Sequence, residues 1–363
     1  MVSTIVLAAG GTGGHIFPAE AIATALTLKG HKVIFITDRA GRKFDRLPSS
    51  VQIMVLPMHR RKNSFVGMAK FGWGLLRSMY HVYRGLKRMK PSIVLGFGGY
   101  PAFPPVAVAQ MLKIPTILHE QNAVLGQVNR ILCKGVKHLA LSFDNTQKVE
   151  TKAPVTVTGT PVRDVFYEFR ETEYAVFDSN EKIHVLVTGG SQGAKVFSTV
   201  IPKAITKLPE KLKKRLSIIH QCPKGDLCDL RMAYNDAGVQ AEVVDFIENM
   251  SEQISTSHLV ISRAGASTLA ELEIIGRPVI LVPFPGAKDD HQWINAQHIQ
   301  HAEAGWCVRQ HEFTSDYLAN RLESLINDPK LLYDAAINMK ALGRTTSTEH
   351  IINLIETEIN KGR

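Results

Sequence analysis

The chain has 363 residues and a formal net charge of +10, and this length favours two domains, each large enough for its own hydrophobic core. The four cysteines are scattered without C-x-x-C spacing and no secretory leader is recognisable, so we expect reduced thiols in a cytoplasmic protein. The sequence has no H-E-x-x-H, D-x-D or cysteine cluster, so we predict neither a metal site nor a cofactor.

Apolar runs rich in β-branched residues alternate with helical stretches in both halves of the chain. This alternation predicts an α/β protein with doubly wound parallel sheets. The predicted strands are residues 4–9, 32–37, 51–56, 93–97, 116–119, 138–141 and 155–158 in the first half, and 183–188, 217–221, 241–246, 259–262 and 279–282 in the second. The charged stretch between residues 163 and 182 is the predicted domain junction.

A glycine-rich turn follows the first predicted strand of each half, GGTGGH at residues 10–15 and GGSQGA at residues 189–194. Glycine lets backbone N–H groups approach a ligand, and the helix that follows adds partial positive charge. Neither turn fits a phosphate-binding fingerprint cleanly, and Asp38 is the one acid after the first turn suited to a ribose. Each turn taken alone is also compatible with a plain strand-to-helix connection. The pair favours two similar domains with an anionic substrate between them.

Two groups of polar residues in the first half are candidates for chemistry. His15 is predicted at the start of a helix that Pro18 helps to begin, where the helix dipole favours the neutral imidazole that a general base needs. His119, Glu120, Gln121 and Asn122 come just after a predicted strand, where ligands bind in open α/β sheets. A local hydrogen bond for His15 and a polar loop for residues 119–122 are the alternatives.

Two segments of the second half are candidate sugar-nucleotide sites. Residues 262–271 (SRAGASTLAE) are small enough to admit a diphosphate at a helix N-terminus, with Ser267 and Thr268 as donors and Glu271 facing ribose hydroxyls. The alternative is a capping box formed by Thr268 and Glu271. In residues 283–296, Gln292 and Asn295 share a helical face and can bind sugar hydroxyls, whereas Asp289 and Asp290 alone would only favour the helix start.

A basic and apolar segment lies in the first half of the chain. Residues 46–119 contain no acidic side chain, and residues 58–90 carry nine Lys or Arg mixed with large apolar side chains. Such a segment can lie on an anionic lipid surface. A solvated basic face over an ordinary helix core is the alternative. A nucleic-acid patch is another, although no helix-turn-helix, zinc-finger or RNA-binding signature accompanies it. The uncharged stretch 91–112 is interrupted by Gly and Pro, and we expect no bilayer-spanning helix.

Together these segments resemble one family, the MurG family of UDP-N-acetylglucosamine transferases, which make lipid II in peptidoglycan synthesis and so serve cell-wall biogenesis, cell shape and cell division. The segments that match are residues 10–15 with Pro18, 96–101 (GFGGYP), 119–122 (HEQN), 159–163, 189–194, 245–247, 262–271 and 291–296. They occur in the family's order. Thr160 is a departure, since many members have Asn there.

The resemblance implies a GT-B fold of two Rossmann-like domains with an interdomain cleft. Residues 1–163 would form the acceptor and membrane-facing domain, onto which a last helix at about residues 345–363 packs back, and residues 164–344 would bind UDP-GlcNAc. The family transfers GlcNAc, with inversion, to the C4 hydroxyl of MurNAc in undecaprenyl-diphospho-MurNAc-pentapeptide (lipid I).

The resemblance also implies roles for single residues. His15 would be the general base, with Glu120 as the second candidate. Substrate contacts would come from Thr12, Gly13, Gly14, Asn122, Arg163, Ser191, Gln192, Ile247, Ala266, Ser267, Thr268, Leu269, Ala270, Glu271, Gln292 and Asn295. Among these, Ile247 would face uracil, Arg163 would lie near the nucleotide, Glu271 would take the ribose, and Gln292 and Asn295 would take the GlcNAc.

For the basic segment, the resemblance implies contact with the cytoplasmic face of the plasma (inner) membrane, where a peripheral enzyme meets its lipid acceptor. The residues expected to face the membrane are Trp73, Leu76, Arg77, Met79, Tyr80, Arg84 and Arg88. Expected partners are UDP-GlcNAc, lipid I and anionic lipid, with cell-wall synthesis proteins as further candidates and no nucleic acid. A UDP-GlcNAc 2-epimerase, a glycosyltransferase acting on diacylglycerol and a basic nucleic-acid-binding module are the competing functions.

Overall fold

The computed structural model describes residues 2–38, 46–58, 65–178, 180–190 and 193–361. The chain folds into two compact units. The first unit is Met1–Arg163 together with Thr345–Arg363, and the second unit is Asp164–Arg344.

Seven strands of the first unit form one sheet in which every pair is parallel. They are β1 (Thr4–Ala8), β2 (Lys32–Asp38), β3 (Gln52–Leu56), β4 (Ile93–Gly96), β5 (Thr116–Glu120), β6 (His138–Leu141) and β7 (Val155–Val157). Their order across the sheet is β3-β2-β1-β4-β5-β6-β7. The chain direction across the sheet therefore reverses at β1, and ligands of open α/β sheets bind beyond the strand ends at such a switch point.

Helices cover both faces of this sheet. The helices between its strands are α1 (Gly13–Leu28), α2 (Phe65–Met89), α3 (Phe103–Met111) and α4 (Gln127–Leu132). Side chains alternate along a strand, so Ile5 and Leu7 of β1 pack into one core with α1, whereas Val6 packs into a second core with α2 and α3. Both faces of the central strands are buried, which explains why these strands are continuous apolar runs in the sequence.

The second unit repeats this architecture with six parallel strands. The strands are β8 (Ile183–Thr188), β9 (Leu216–Gln221), β10 (Gln240–Val244), β11 (Leu259–Ser262), β12 (Val279–Leu281) and β13 (Gly305–Cys307). The helices are α5 (Asp164–Tyr167), α6 (Lys195–Thr206), α7 (Glu210–Lys213), α8 (Leu227–Asp236), α9 (Met250–Thr256), α10 (Ala266–Ile275), α11 (His291–His301), α12 (Ser315–Asn327) and α13 (Pro329–Leu342). The strand order β10-β9-β8-β11-β12-β13 reverses at β8.

The last helix, α14 (Ser347–Lys361), belongs to the first unit. Its residues Ile351, Ile352, Ile355 and Ile359 are buried in the core that contains α1 and β1. Glu356 of α14 forms an ion pair with Lys29 at 3.0 Å. The chain thus leaves the first unit, builds the second and returns to the first.

All twelve predicted strands are present, with ends within two residues of the prediction. The sequence missed β13 (GWC), which lacks the β-branched residues that revealed β7, an edge strand of the same length. Gly305 is required there, since a Cβ atom would lie 2.4 Å from the backbone oxygen of Val279. The prediction that Pro18 helps to begin α1 is wrong. The N–H of Ile16 already bonds to the carbonyl of Thr12, so the helix starts at Gly13 and Pro18 lies inside it.

Candidate functional site

The first glycine turn connects β1, the switch-point strand, to α1. Gly11 has φ +86°, and its N–H donates to Asp38 Oδ1 at 3.3 Å. A side chain at Gly10 would clash with Pro101, because its Cβ would lie 2.5 Å from Pro101 Cγ. The structure therefore gives Asp38, the acid that the sequence singled out for a ribose, a contact that holds the turn. Thr12 is the exposed N-cap residue of α1, and Gly13 and Gly14 begin the helix.

His15 lies in the first turn of α1 and is half-buried. Its ring lies against two glycines of the segment 96–101. A Cβ at Gly98 would lie 3.4 Å from His15 Cε1, and one at Gly99 would lie 3.2 Å from Cδ2 and 2.6 Å from the Gly10 oxygen. Both glycines have positive φ, +86° and +75°. The glycines of this segment therefore make room for the imidazole.

His119 and Glu120 are the last two residues of β5, and Gln121 follows them. His15 Nδ1 lies 2.8 Å from Gln121 Oε1, and Gln121 Nε2 lies 2.9 Å from His119 Nδ1. The other ring nitrogen of His119, Nε2, lies 2.9 Å from the carbonyl oxygen of Gly159. Burial, against the opposing effect of the Gly159 hydrogen bond and with a smaller contribution from the nearby His15, lowers the pKa of His119 to about 4. His119 is therefore neutral at physiological pH.

Glu120 is buried, and its carboxylate accepts four hydrogen bonds within the loop that follows β5. The donors are Asn122 N–H (3.1 Å), Asn122 Nδ2 (3.2 Å), Gly126 N–H (2.8 Å) and Asn129 Nδ2 (2.9 Å). The structure thus brings both predicted residues, Glu120 and Asn122, together. They hold the loop beside Gln121.

Two residues after β7 also contact this region of the first unit. The Arg163 guanidinium lies 4.6 Å from the ring centroid of Phe17, two residues beyond His15 on α1. Thr160, the departure from the family pattern, donates from its hydroxyl to Ser142 Oγ at 2.7 Å. The Thr160 hydroxyl therefore has a partner of its own within the first unit.

The second glycine turn connects β8, the other switch-point strand, to α6. Gly190 and Gly193 have positive φ, and a Cβ at Gly189 would lie 2.3 Å from the Ala194 nitrogen. Gly190 N–H donates to Thr188 Oγ1 at 3.2 Å. This turn therefore requires glycine for steric reasons. The predicted contact residues Ser191 and Gln192 lie outside the described residues.

The N-terminus of α10 follows β11 directly. Its N-cap is Gly265, and its first helical bond joins Leu269 N–H to the Gly265 oxygen at 3.0 Å. Thr268 is therefore inside the helix, and the capping-box alternative is wrong. The first turn contains no acidic residue, and N–H groups of a first turn point away from the helix. This end of α10 therefore has the geometry and charge of an anion site.

Most of the α10 residues that were predicted to contact the substrate are buried. Ala266, Leu269, Ala270 and Glu271 are buried, and Leu269 is fully buried in the unit's interior. The N–H of Leu269 is also used within the helix, in its bond to the Gly265 oxygen. Ile247, predicted to face uracil, follows β10 and is likewise buried.

Arg263 has no role predicted from the sequence, yet it connects the strand-end loops of the second unit. Its guanidinium donates to the carbonyl of Val282 at 2.8 Å and to Gln310 Oε1 at 2.7 Å. The guanidinium carbon lies 5.2 Å from the Phe197 ring centroid and 5.5 Å from that of Phe284. Burial lowers the pKa of Arg263 to about 10, so it stays cationic at neutral pH. The sequence signal for this connecting role is weak. It consists only of the position of Arg263, directly after the predicted strand 259–262 and before the small residues 264–267.

The two residues predicted to bind sugar, Gln292 and Asn295, connect helix α11 to the strand-end loops of the second unit by hydrogen bonds. Asn295 is fully buried, and its Nδ2 donates to the Ala264 carbonyl at 3.1 Å. Gln292 is half-buried, and its Oε1 accepts the N–H of Phe284 at 2.9 Å. Both side chains therefore have partners within the protein. Asp290, at the start of α11, pairs with Arg309 at 2.7 Å.

Helix α2 exposes a mixed apolar and basic face. Trp73, Leu76 and Tyr80 are 71%, 63% and 59% exposed, so the interpretation of these positions as ordinary helix core is wrong. Met79 is half-buried and packs against the core that contains α2 and α3. Arg77, Arg84 and Arg88 are exposed on the same helix, while Arg60, Arg61 and Lys62 lie outside the described residues. Within the described part of the chain, no helix is both long and apolar enough to cross a membrane.

Both units match models of one class of enzyme. Residues 5–140 match the Glycosyltransferase family 28 N-terminal domain, and residues 184–351 match the Glycosyltransferase family 28 C-terminal domain. The two parallel sheets, each with its glycine turn at the switch-point strand, are those of a GT-B-like glycosyltransferase.

Relatives with similar sequences identify the family within this class of enzyme. The UDP-N-acetylglucosamine--N-acetylmuramyl-(pentapeptide) pyrophosphoryl-undecaprenol N-acetylglucosamine transferase of Granulibacter bethesdensis is 40% identical, over 99% of this chain and 94% of the relative. The protein of the same name from Paramagnetospirillum magneticum is 42% identical, over 97% of this chain and 95% of the relative. The chain belongs to this family of transferases, the MurG family, which confirms the resemblance found in the sequence.

Solved structures agree with this assignment. The crystal structure of Acinetobacter baumannii MurG has a TM-score of 0.79 and 29% identity, covering 98% of this chain and 99% of that one. A UDP-GlcNAc 2-epimerase from Neisseria meningitidis, solved with UDP-GlcNAc bound, has a TM-score of 0.66 but 15% identity, covering 98% of this chain and all of that one. At 15% identity, the similarity to the epimerase shows a shared fold and nothing about function.

Proposed function

We propose that this protein transfers GlcNAc from UDP-GlcNAc to the C4 hydroxyl of MurNAc in undecaprenyl-diphospho-MurNAc-pentapeptide, with inversion at the anomeric carbon. The observation that carries the proposal is the similarity to transferases of this name along nearly the whole chain, at 40% identity. The product is lipid II, the precursor of peptidoglycan.

The step is a single displacement. His15 Nε2 takes the proton of the C4 hydroxyl while that oxygen bonds to the anomeric carbon of GlcNAc. The bond between the anomeric carbon and the diphosphate breaks, and UDP leaves with the electron pair. Attack from the face opposite UDP inverts the configuration. A positioned base of this kind contributes about 10²–10⁴ in rate. His15 suits the role because it is half-buried beside two glycines and its Nδ1 already has a partner, Gln121.

We assign the donor nucleotide to the second unit. The N-terminus of α10 stabilises the negative charge that develops on UDP, with Ala266, Ser267 and Thr268 in its first turn. The assignment is completed by Ile247 for uracil, Glu271 for the ribose, and Ser191, Gln192, Leu269 and Ala270 as further contacts. Gln292 and Asn295 are assigned to the GlcNAc, and Arg163 to the nucleotide. Because the Nδ2 of Asn295 is already bonded to the Ala264 carbonyl, this residue also fixes the loop before α10.

We assign the acceptor to the first unit, at Thr12, Gly13, Gly14 and Asn122, beside His15. The exposed side chains Trp73, Leu76 and Tyr80 with Arg77, Arg84 and Arg88 are proposed to rest on anionic lipid, and the half-buried Met79 lies at the margin of that face. Each basic residue near such a surface contributes about 1 kcal/mol. The protein would then act as a peripheral protein on the cytoplasmic face of the inner membrane.

The test is the transfer of labelled GlcNAc from UDP-GlcNAc to a short-chain lipid I analogue in the presence of EDTA. We expect a product with an inverted, β-configured linkage that forms without added metal. Diacylglycerol as acceptor, and UDP-GlcNAc without acceptor, test the lipid glycosyltransferase and the epimerase in the same assay. Formation of glycolipid or of the 2-epimer, with no lipid II analogue, would overturn the proposal.

A further inference from the structure

A chain of hydrogen bonds runs from His15 through Gln121 and His119 to the carbonyl oxygen of Gly159. The donor and acceptor in each of these bonds can be worked out from the Gly159 end. The Gly159 carbonyl oxygen can only accept, so His119 Nε2, 2.9 Å away, must carry the proton. His119 is fully buried and neutral. A neutral imidazole protonated at Nε2 has an unprotonated Nδ1, and Nδ1 of His119 is therefore an acceptor.

This acceptor determines how the Gln121 amide is oriented. The atom of Gln121 nearest to His119 lies 2.9 Å from Nδ1 and 3.2 Å from the His119 carbonyl oxygen. Both neighbours are acceptors, and only the amide NH₂, which has two hydrogens, satisfies them. Gln121 is fully buried, and an amide facing the other way would leave two buried acceptors against an oxygen. The amide oxygen therefore faces His15.

The amide oxygen in turn selects the tautomer of His15. Gln121 Oε1 lies 2.8 Å from His15 Nδ1 and can only accept, so His15 must be protonated at Nδ1. The lone pair of a neutral His15 is then on Nε2. When Nε2 takes up a proton, the Nδ1–H bond to Gln121 is retained, so the same contact orients the ring before and after proton transfer.

We propose that Gln121 and His119 are positioning residues that hold His15 in the Nδ1–H tautomer and so present Nε2 as the proton acceptor. This inference rests on the proposed function, since it concerns the base of that reaction. It gives a mechanistic reason for the segment 119–122, in which Glu120 fixes the loop and His119 and Gln121 set the proton positions. The opposite tautomer of His15 would direct an N–H at the acceptor hydroxyl and could not take its proton.

The decisive measurement is the ¹⁵N NMR spectrum of the histidine rings in the full chain, because ring nitrogen shifts distinguish the two neutral tautomers without any substrate. His15 and His119 are assigned from the signals lost in His15→Gln and His119→Gln. We expect His119 as the Nε2–H tautomer and His15 as the Nδ1–H tautomer at neutral pH. Finding His15 mainly as Nε2–H in the wild-type protein would overturn the proposal, whether or not the protein transfers GlcNAc.

Substitution of Gln121 tests whether this side chain is the cause. Gln121→Met removes the amide at similar size, and we expect mixed His15 tautomers and a kcat lowered about 10- to 100-fold, with KM for UDP-GlcNAc within about twofold of wild type. Gln121→Glu keeps an oxygen opposite His15 Nδ1, so His15 should stay in the Nδ1–H form. An unchanged His15 tautomer in Gln121→Met would overturn the role of Gln121.

The matched control is Gln110→Met, which removes a part-buried side-chain hydrogen bond of the same unit, from Gln110 Nε2 to the Leu132 carbonyl. It should leave both tautomers and kcat unchanged. An equal loss of kcat in Gln110→Met and Gln121→Met would show that the effect comes from general destabilisation and would overturn the assignment. Absence of transfer in the wild-type protein would count against the proposed function alone, because the tautomers are read without substrate.

Discussion

The Oε2 atom of Glu120 accepts the backbone N–H of Gly126 at 2.8 Å and closes the loop that follows β5. The room for this contact is limited, since a Cβ atom at Gly126 would lie 3.3 Å from the same oxygen. With Asn122 and Asn129 supplying three further donors, the carboxylate is fully used within the protein. This arrangement favours His15 over Glu120 as the general base.

Glu120→Gln should therefore lower stability more than it affects the chemical step. The amide NH₂ would face an N–H donor in place of an acceptor oxygen, and a buried unsatisfied donor costs about 1–3 kcal/mol. Urea unfolding measures the loss. We expect the folded variant to retain more turnover than His15→Ala. A variant as stable as wild type but as inactive as His15→Ala would instead identify Glu120 as the base.

His15→Ala should keep the affinity for UDP-GlcNAc, measured by calorimetry, and lose turnover by about 10²–10⁴, because the group that takes the hydroxyl proton is gone. His350→Ala is the control, since His350 is an exposed histidine on α14 of the same unit. Turnover near the wild-type value in His15→Ala would refute the base assignment.

Charge reversal on α2 should separate membrane binding from catalysis. We expect Arg77→Glu, Arg84→Glu and Arg88→Glu together to reduce sedimentation with anionic vesicles and to spare transfer to a short-chain soluble acceptor. The control changes net charge equally on exposed lysines of the second unit, with Lys203→Glu, Lys211→Glu and Lys214→Glu. Equal loss of vesicle binding in both triple variants would show that net charge, and not the α2 face, is responsible.

Arg277 should be a main contributor to the stability of the second unit. It is almost fully buried, and its guanidinium donates to the backbone carbonyls of residues 173, 255, 275 and 276 at 2.6–3.2 Å. A lysine cannot reproduce this planar set of donors, so Arg277→Lys should cost about 3 kcal/mol in the free energy of unfolding. Arg231→Lys, at an exposed arginine that donates to the Val243 carbonyl at 2.9 Å, should change stability little. Similar losses in the two variants would contradict the prediction.

Acidification should destabilise the second unit through His220. Burial lowers the pKa of His220 to about 3, whereas the unfolded chain takes up a proton below about pH 6.5. The unfolded state therefore binds more protons between these values, and stability falls as the pH falls, by at most about 1.4 kcal/mol per pH unit for this group. Unfolding midpoints at pH 7 and pH 5 measure the slope. It should be shallower in His220→Gln, and an unchanged slope would remove His220 as a cause.

Local patterns in the sequence determined the elements and the class of the protein. Buried parallel strands are continuous apolar runs, and glycine turns after the switch-point strands β1 and β8 are local features. The order of the motifs was enough to recognise the family. The exposed face of α2 was also readable, because its basic and apolar residues are mixed within one helix. The edge strand β13 was missed, since its residues Gly-Trp-Cys include no β-branched side chain.

Only the tertiary structure decided which polar atoms meet, because the partners are far apart in the chain. His15 and Gln121 are separated by 106 positions, Arg263 and Gln310 by 47, and Gly11 and Asp38 by 27. A sequence shows that a histidine, an amide or a carboxylate is present, but the direction of a hydrogen bond depends on the atom opposite. For this reason only the structure shows that the carboxylates of Asp38 and Glu120, the candidate ligand and the second candidate base, bond to backbone N–H groups of turns. For the same reason Gln121, one polar residue among four in sequence, became the residue that sets the proton on His15.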